Sequence, residues 1–137
     1  MSIETNTQII QSCYEKFGKG DIPGILKILD ENVLWSSPVV ENAPHTGERT
    51  GRKSVDEFFE LLSKDETITR FEPLVYIAQD DRVCVRGEFA ATVNATDRSY
   101  ESEWVHIFTL HDGKVVNFFE LFDTAAATKA YQKAKSV

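Results

Sequence analysis

Apolar and polar residues alternate along the last third of the chain in two runs separated by a short polar segment. The first run is Trp104–Leu110, the second is Lys114–Phe122, and His111-Asp112-Gly113 lies between them. Alternation with a period of two, rich in β-branched and aromatic residues and broken at a glycine, is typical of an antiparallel hairpin. The pattern therefore predicts that the two runs pair as neighbouring strands.

A three-residue loop is the register that we expect for this hairpin. With Gly113 in the left-handed conformation, Leu110 pairs with Lys114, and Trp104 lies opposite Glu120. Directly opposed residues share a face of a sheet, so this register places the aromatic and ionisable side chains of both strands on one surface. These side chains are Trp104, His106, Phe118, Glu120 and Phe122.

The alternative register has a two-residue type I′ turn at Asp112-Gly113. It moves the pairing by one residue, and His106 would then face away from Glu120. Both side chains stand where a strand normally buries apolar groups. Because a buried ionisable group costs free energy unless it is paired, hydrogen-bonded or used, this hairpin is the first place to look for a functional site.

Helical spacing of apolar residues predicts three helices in the first half of the chain. The first ends at Gly18, and Asp21 is the expected N-cap of the second. The third begins near residues 51–54, where Ser54-x-x-Glu57 matches a capping box. Between the last two helices we expect a short strand over residues 33–37 and an exposed loop over 39–49, a candidate lid.

After the third helix the pattern predicts only strands and a short Ala-rich terminal helix capped by Asp123 or Thr124. Helices followed by long antiparallel strands indicate an α+β fold. A curved sheet wrapped on one long helix leaves a pocket at its open end, which is a default ligand site. The expected strands cover about residues 71–79, 82–94, 99–110 and 114–122.

The chain has 137 residues and a formal net charge of −7, which argues against nucleic acid or an anionic membrane as a partner. It contains no apolar run as long as a membrane span, and its first residues lack the features of a signal peptide. We therefore expect a cytoplasmic protein. Cys13 and Cys84 are expected as small core residues, and the three histidines have no metal-ligand spacing, so neither a metal nor a cofactor is expected.

The order of elements and four sequence segments resemble the SnoaL-like branch of the nuclear-transport-factor-2-like superfamily, which includes ketosteroid isomerases and polyketide cyclases. The resemblance covers nearly the whole chain. It implies one domain over residues 1–137 with an α+β, cystatin-like cone, in which three N-terminal helices pack on a curved, mostly antiparallel sheet and a short helix follows. The segments are Tyr14–Pro23, Thr46–Arg52, Trp104–Lys114 and Glu120–Ala125.

The resemblance also allows site residues to be compared one by one. At the position of the general-base Asp of ketosteroid isomerases this chain has Ser37, and at that of their oxyanion-hole Asp it has His106. Their helix-1 Tyr corresponds to Cys13, whereas Tyr14, one position further, is expected to point elsewhere. Steroid isomerisation by those residues is therefore not expected. Glu120 stands where SnoaL-type cyclases carry an acid/base Asp on the last strand.

We therefore predict cofactor-independent acid/base chemistry, of the isomerase, cyclase or hydratase type, on a small hydrophobic molecule that carries a carbonyl group. Glu120 would move the proton, and His106 would orient Glu120 or stabilise developing oxyanion charge. The expected substrate-binding residues are Trp35, Ser37, Trp104, Phe118 and Phe122.

Two further interpretations remain open from the sequence. The same pocket can serve a small-molecule-binding protein without catalysis, or it can be a remnant in a dimerisation module. The opposite face of the hairpin is also apolar, so we expect a homodimer through the outer face of the sheet. The residues on that face are Val105, Ile107, Thr109, Phe119 and Leu121.

Overall fold

A computed structural model describes residues 2–133, in which helices pack on the concave side of one curved, unclosed sheet. The helices are α1 (Ile3–Gly18), α2 (Ile22–Ile28), α3 (Arg52–Asp65) and α4 (Thr124–Tyr131). The strands are β1 (Leu29–Ser36), β2 (Arg49–Thr50), β3 (Glu66–Gln79), β4 (Arg82–Val93), β5 (Arg98–His111) and β6 (Lys114–Phe122). Their order in the sheet is β2-β1-β6-β5-β4-β3, and neighbouring strands are antiparallel except β1 and β6, which are parallel. The predicted α+β cone is confirmed.

Side-chain caps begin two of the helices where the sequence predicts them. Asp21 accepts a hydrogen bond from the backbone N–H of Gly24, and Asp123 does the same for α4. The predicted capping box at Ser54 is wrong. Helix α3 begins directly after β2, with Gly51 as its N-cap at a φ of 90°, which favours glycine, and with no side-chain cap.

The segment between β1 and β2 is not the exposed lid that its composition predicts. Three of its side chains, Val40, Ala43 and His45, are buried. Val40 and Ala43 pack in one cluster with residues of α4, including Tyr131. This segment and α4 therefore cover one end of the cone together.

Strand β3 is longer than predicted, because it starts at Glu66, immediately after α3 ends, and not near residue 71. It is an edge strand of the sheet, paired on one side with β4. Because most of its residues are exposed or half-buried, apolar and polar residues do not alternate clearly along this part of the sequence. The early start brings Glu66 to the inside of the fold.

The turn of the β5–β6 hairpin has two residues, so the expected three-residue loop is wrong. Asp112 and Gly113 both have a positive φ, 48° and 79°, and His111 pairs with Lys114. After the next pair, Leu110 and Val115, a β-bulge at Val116 shifts the register again. The net pairing differs from the expected one by two residues, which is a full period of side-chain alternation.

The bulge brings His106 directly opposite Glu120, and Trp104 opposite Phe122. Without it, the two-residue turn would place His106 and Glu120 on opposite faces. The prediction that Trp104, His106, Phe118, Glu120 and Phe122 share the concave face is therefore confirmed. Helix α1 packs across this face, and none of the helices in residues 2–133 is long and apolar enough to cross a membrane.

Candidate active site

A cavity of about 110 Å³ lies between α1 and the concave face of the sheet. Its wall is mostly aromatic and aliphatic, and it includes Trp35, Phe118 and Phe122 from the predicted substrate-binding set. The two predicted catalytic residues, His106 and Glu120, line it as well. The hairpin thus supplies both ionisable groups and much of the apolar wall around them.

Three side chains form a hydrogen-bonded chain in this wall. The hydroxyl of Tyr14 lies 2.8 Å from Nδ1 of His106, and Nε2 of His106 lies 2.6 Å from Oε2 of Glu120. A carboxylate only accepts hydrogen bonds, so Nε2 carries the proton that binds Glu120. In the tautomer with its proton on Nε2, Nδ1 accepts from the tyrosine hydroxyl, and both ring nitrogens are occupied.

Burial keeps the Tyr14 hydroxyl protonated. It raises the pKa of Tyr14 far above the ordinary value of 10.0, and nearby groups, including Glu120, raise it further. The hydroxyl therefore has a proton to donate to Nδ1 of His106. With Glu120 as an acceptor, Tyr14 donates to His106 and His106 donates to Glu120.

Aromatic packing holds the imidazole in place. The ring of His106 stacks on Trp104 at a centroid distance of 4.1 Å and meets the edge of Phe118 at 4.7 Å. Only 7% of the His106 side chain is exposed, against 21% for Glu120. A small molecule in the cavity therefore reaches Glu120 more readily than His106.

Two of the predicted binding residues are not in the cavity wall. Ser37 accepts a hydrogen bond from the backbone N–H of Gly47 through Oγ and so anchors the segment after β1. Trp104 is 1% exposed and stacks on Phe71, which itself lines the cavity. Trp104 therefore supports the site from behind, and it does so on the concave face that was predicted for it.

Tyr14 is the member of the hydrogen-bonded chain that the sequence comparison misplaced. It was expected to point away because it stands one position beyond the matching residue, Cys13. Both residues line the cavity, since neighbouring positions on a helix differ by about 100° and two of them fit on one broad apolar face. The spacing of Ile10, Cys13, Tyr14 and Phe17 carries this signal.

A second group of buried polar side chains was not predicted at all. Its centre is Glu66, whose Oε2 accepts hydrogen bonds from the hydroxyls of Tyr100, at 2.8 Å, and Tyr131, at 2.5 Å. Nδ1 of His45 lies 2.6 Å from Oδ2 of Asp65, and its Nε2 lies 3.7 Å from Oε2 of Glu66. We call these five residues the Glu66 cluster, and Glu66, His45 and Tyr100 line the same cavity as Glu120.

The cysteines are free thiols, with Cys13 buried and Cys84 half-buried. Within residues 2–133 no three His, Cys, Asp or Glu side chains are grouped so that they could hold a metal ion.

The α+β cone with its inner cavity has the NTF2-like fold. Residues 10–118 match the model of the SnoaL-like domain, and the chain belongs to that family. No curated protein matches the sequence significantly.

Solved structures agree with this assignment over nearly the full length of the chain. An NTF2-like protein from Burkholderia xenovorans is 31% identical, with a TM-score of 0.87 over 96% of this chain and 99% of its own. TerC, crystallised with polyporic acid, is 27% identical, with a TM-score of 0.83 over 94% and 99% of the two chains. A Xanthomonas campestris protein proposed to be a polyketide cyclase shares the fold at 17% identity, with a TM-score of 0.81 over 95% and 98%.

Proposed function

We propose that the protein catalyses cofactor-independent proton transfer on a small hydrophobic molecule that carries a carbonyl group, as an isomerase, cyclase or hydratase. The observation that carries this proposal is the Tyr14-His106-Glu120 chain in the wall of an apolar cavity. A carboxylate in such surroundings can act as a general base towards a carbon acid. The apolar wall limits competing water.

Glu120 is the proposed catalytic base. Its side chain is more exposed than that of His106, and only its Oε2 is held by His106. Its other oxygen is the group that would take a proton from the carbon next to the substrate carbonyl and return it at another atom. Isomerisation and aldol-type cyclisation both begin with this step; in hydration the same oxygen would take the proton from the attacking water and return it to the carbon next to the carbonyl.

His106 is the proposed positioning residue. Both of its ring nitrogens are hydrogen-bonded within the protein, to Tyr14 and to Glu120, so it acts through the carboxylate and not on the substrate. Between the two roles that the sequence leaves open, this geometry favours orientation of Glu120 over stabilisation of an oxyanion. Tyr14 in turn fixes the tautomer of His106.

The relatives support a small-molecule pocket. TerC was crystallised with polyporic acid, and at 27% identity it is similar to this chain in sequence as well as fold. The alternative is a pocket that binds a small molecule without catalysis. An open cavity favours catalysis or binding over a remnant pocket filled by aromatic side chains. Polyporic acid and planar ring ketones are therefore suitable first ligands for a thermal-shift screen.

Deuterium exchange tests the proposed reaction. In D₂O, the wild-type protein should speed the exchange of the acidic C–H protons of planar ketones such as 1-indanone, followed by proton NMR. Glu120→Gln keeps the size of the side chain but cannot take up a proton, so it should slow the exchange about 10²- to 10⁴-fold. Glu103→Gln, at an exposed position on the outer face, is the matched control and should keep the wild-type rate.

His106→Asn separates positioning from direct catalysis. It should reduce the exchange rate less than Glu120→Gln, and it should move the rate–pH profile to higher pH because the donor to the Glu120 carboxylate is lost. Binding of the ketone with no exchange would favour the non-catalytic alternative. A Glu120→Gln protein that exchanges at the wild-type rate would show that Glu120 is not the base.

A further inference from the structure

The cavity has a second polar end, formed by the Glu66 cluster. Glu66 and His45 are 6% and 7% exposed, and both line the cavity. The Oε2 atom of Glu66 is occupied by two tyrosine hydroxyls, whereas Oε1 has no hydrogen-bond partner among the residues that the structure describes. A buried carboxylate oxygen beside a cavity is an acceptor that a ligand can use.

The tyrosines of the cluster both donate to Glu66. Burial and the neighbouring Glu66 carboxylate raise the pKa of Tyr100 and of Tyr131 far above 10.0, so both hydroxyls stay protonated. Their two hydrogen bonds orient Glu66, and the 2.6 Å contact between His45 and Asp65 orients the imidazole next to it. The cluster therefore presents a fixed acceptor to the cavity.

The two polar ends belong to one cavity. Tyr100 and His106 are both on β5, both line the cavity and are six residues apart. The negative charge of Glu120 still contributes to the raised pKa of Tyr100, so the two ends are near enough for one small molecule to contact both. Apolar side chains, among them Phe89 and Phe122, line the wall as well. The cavity therefore carries a carboxylate at each end.

We propose that the substrate is an elongated, largely apolar molecule with an oxygen function at each end. A hydroxyl group donates a hydrogen bond to Oε1 of Glu66, and the carbonyl end lies at Glu120. Glu66 then sets substrate length and polarity, while Glu120 carries the chemistry. This inference rests on the proposed function of Glu120, and it adds the second contact and the class of substrate.

A pair of biphenyl ketones tests this arrangement. 4-Acetyl-4′-hydroxybiphenyl carries both oxygen functions, and 4-acetyl-4′-methylbiphenyl has the same shape without the hydroxyl. Binding is followed by the fluorescence of Trp35, which lies in the cavity wall, and turnover by deuterium exchange of the acetyl protons. A hydrogen bond to a charged group contributes about ten-fold to affinity. Glu66→Gln should therefore lower the affinity for the hydroxy compound about ten-fold and the affinity for the methyl compound less than two-fold.

A purely structural role for the Glu66 cluster predicts a different result. The cluster joins α4 to the sheet, and so does Thr96, which donates to the backbone carbonyl of Ala130 and is not part of the cavity wall. Thr96→Val is thus the matched control for loosening α4. If Glu66→Gln and Thr96→Val each lower the affinity for the two ketones to the same extent, Glu66 only holds α4 and the inference is wrong.

The remaining outcomes are also decisive. Unchanged affinity of Glu66→Gln for the hydroxy compound overturns the second contact but leaves the proposed function intact. Failure of the wild-type protein to bind either ketone overturns both proposals. Should Glu66→Gln not fold, His45→Asn replaces it: the amide keeps a donor near Asp65 but removes Nε2 beside Glu66, and it should also weaken only the hydroxy compound.

Discussion

Tyr14 and His106 are 92 residues apart in the sequence, and a 2.8 Å hydrogen bond joins them. Tyr14 lies on α1 and His106 on β5, so the bond links the long helix to the sheet that it crosses. The same bond leaves the imidazole with one tautomer, in which Nε2–H faces Glu120. Packing of the helix on the sheet and orientation of the proposed base therefore depend on one hydroxyl group.

Tyr14→Phe removes that hydroxyl and keeps the ring. We expect the free energy of unfolding to fall by about 1–3 kcal/mol, because Nδ1 of the buried His106 loses its partner. Deuterium exchange should slow less than in Glu120→Gln, since the carboxylate is still present. Urea unfolding and the NMR assay measure the two effects, and unchanged stability together with unchanged exchange would contradict the role given to Tyr14.

Alkaline pH should destabilise the protein from about pH 9 upwards. Burial raises the pKa of Cys13 from an ordinary 9.0 to about 12, so between these values the unfolded chain releases the thiol proton while the folded chain keeps it. Each pH unit in this window costs about 1.4 kcal/mol of stability. Above pH 10, Tyr14 adds a loss of the same sign.

Urea unfolding between pH 7.5 and 10 checks this expectation. In Cys13→Ala the fall in the free energy of unfolding between pH 9 and 10 should be smaller than in the wild-type protein, because the buried thiol is gone. Equal slopes for the two proteins would show that Cys13 does not cause the alkaline loss.

Gly87→Ala should destabilise the fold strongly. A Cβ atom at Gly87 would lie 2.2 Å from Cζ2 of Trp104 and 2.3 Å from the backbone carbonyl oxygen of Glu72. Neither the packed indole of Trp104 nor the backbone of the paired strand β3 can move away easily, so we expect a loss of about 1–3 kcal/mol. Displacement of Trp104 should also disturb the imidazole of His106 that stacks on it.

Gly18→Ala is the control for the Gly87 substitution. No atom lies within 4 Å of a Cβ built at this position at the end of α1, so the change should be neutral or stabilising by up to about 1 kcal/mol. Urea midpoints of the two variants give the comparison. If both substitutions have the same effect, the crowding around Trp104 is not what makes glycine necessary at position 87.

We propose that the protein is a homodimer that pairs through the outer face of the sheet. Leu121 and Phe119 are 50% and 40% exposed on that face, and Ile77 on β3 is 66% exposed. An interface above about 1,000 Å² is expected for a stable dimer. Leu121→Arg should therefore convert the protein to monomers in sedimentation experiments at micromolar concentration.

Val39→Arg is the control for the dimer experiment. Val39 is 80% exposed but lies in the segment between β1 and β2, outside the sheet, so the arginine should leave the oligomeric state unchanged. A wild-type protein that sediments as a 15.5 kDa monomer would rule the dimer out.

The sequence predicts the fold and one end of the cavity because both follow from local periodicity. Alternation in the hairpin puts His106 and Glu120 on one face, although the expected turn was wrong. The bulge has no sequence signature of its own, since Val116 is one of two adjacent valines at the start of the strand. The two-residue turn and the bulge each shift the pairing by one residue, and together they return the predicted side chains to the concave face.

The Glu66 cluster could not be predicted in the same way. Its residues come from a loop, the end of α3, the start of β3, β5 and α4, and no short-range pattern relates them. One signal was available: Tyr100 has the same parity as Trp104 and His106 on β5, which places it on the concave face. Its partners depend on tertiary packing, and Glu66 was hidden because β3 starts earlier than its alternation indicates.

Because of the bulge at Val116, the number of residues in the hairpin decides which side chains of β6 face the cavity and which face outward. A single-residue deletion there, or a single-residue insertion in the turn, would exchange the inward and outward side chains from Asn117 to Phe122. Glu120 would leave the cavity, and Phe119 and Leu121 would enter it. The deletion and the insertion made together restore the pairing. The hairpin can therefore change in length and keep the site only when one such change is matched by the other.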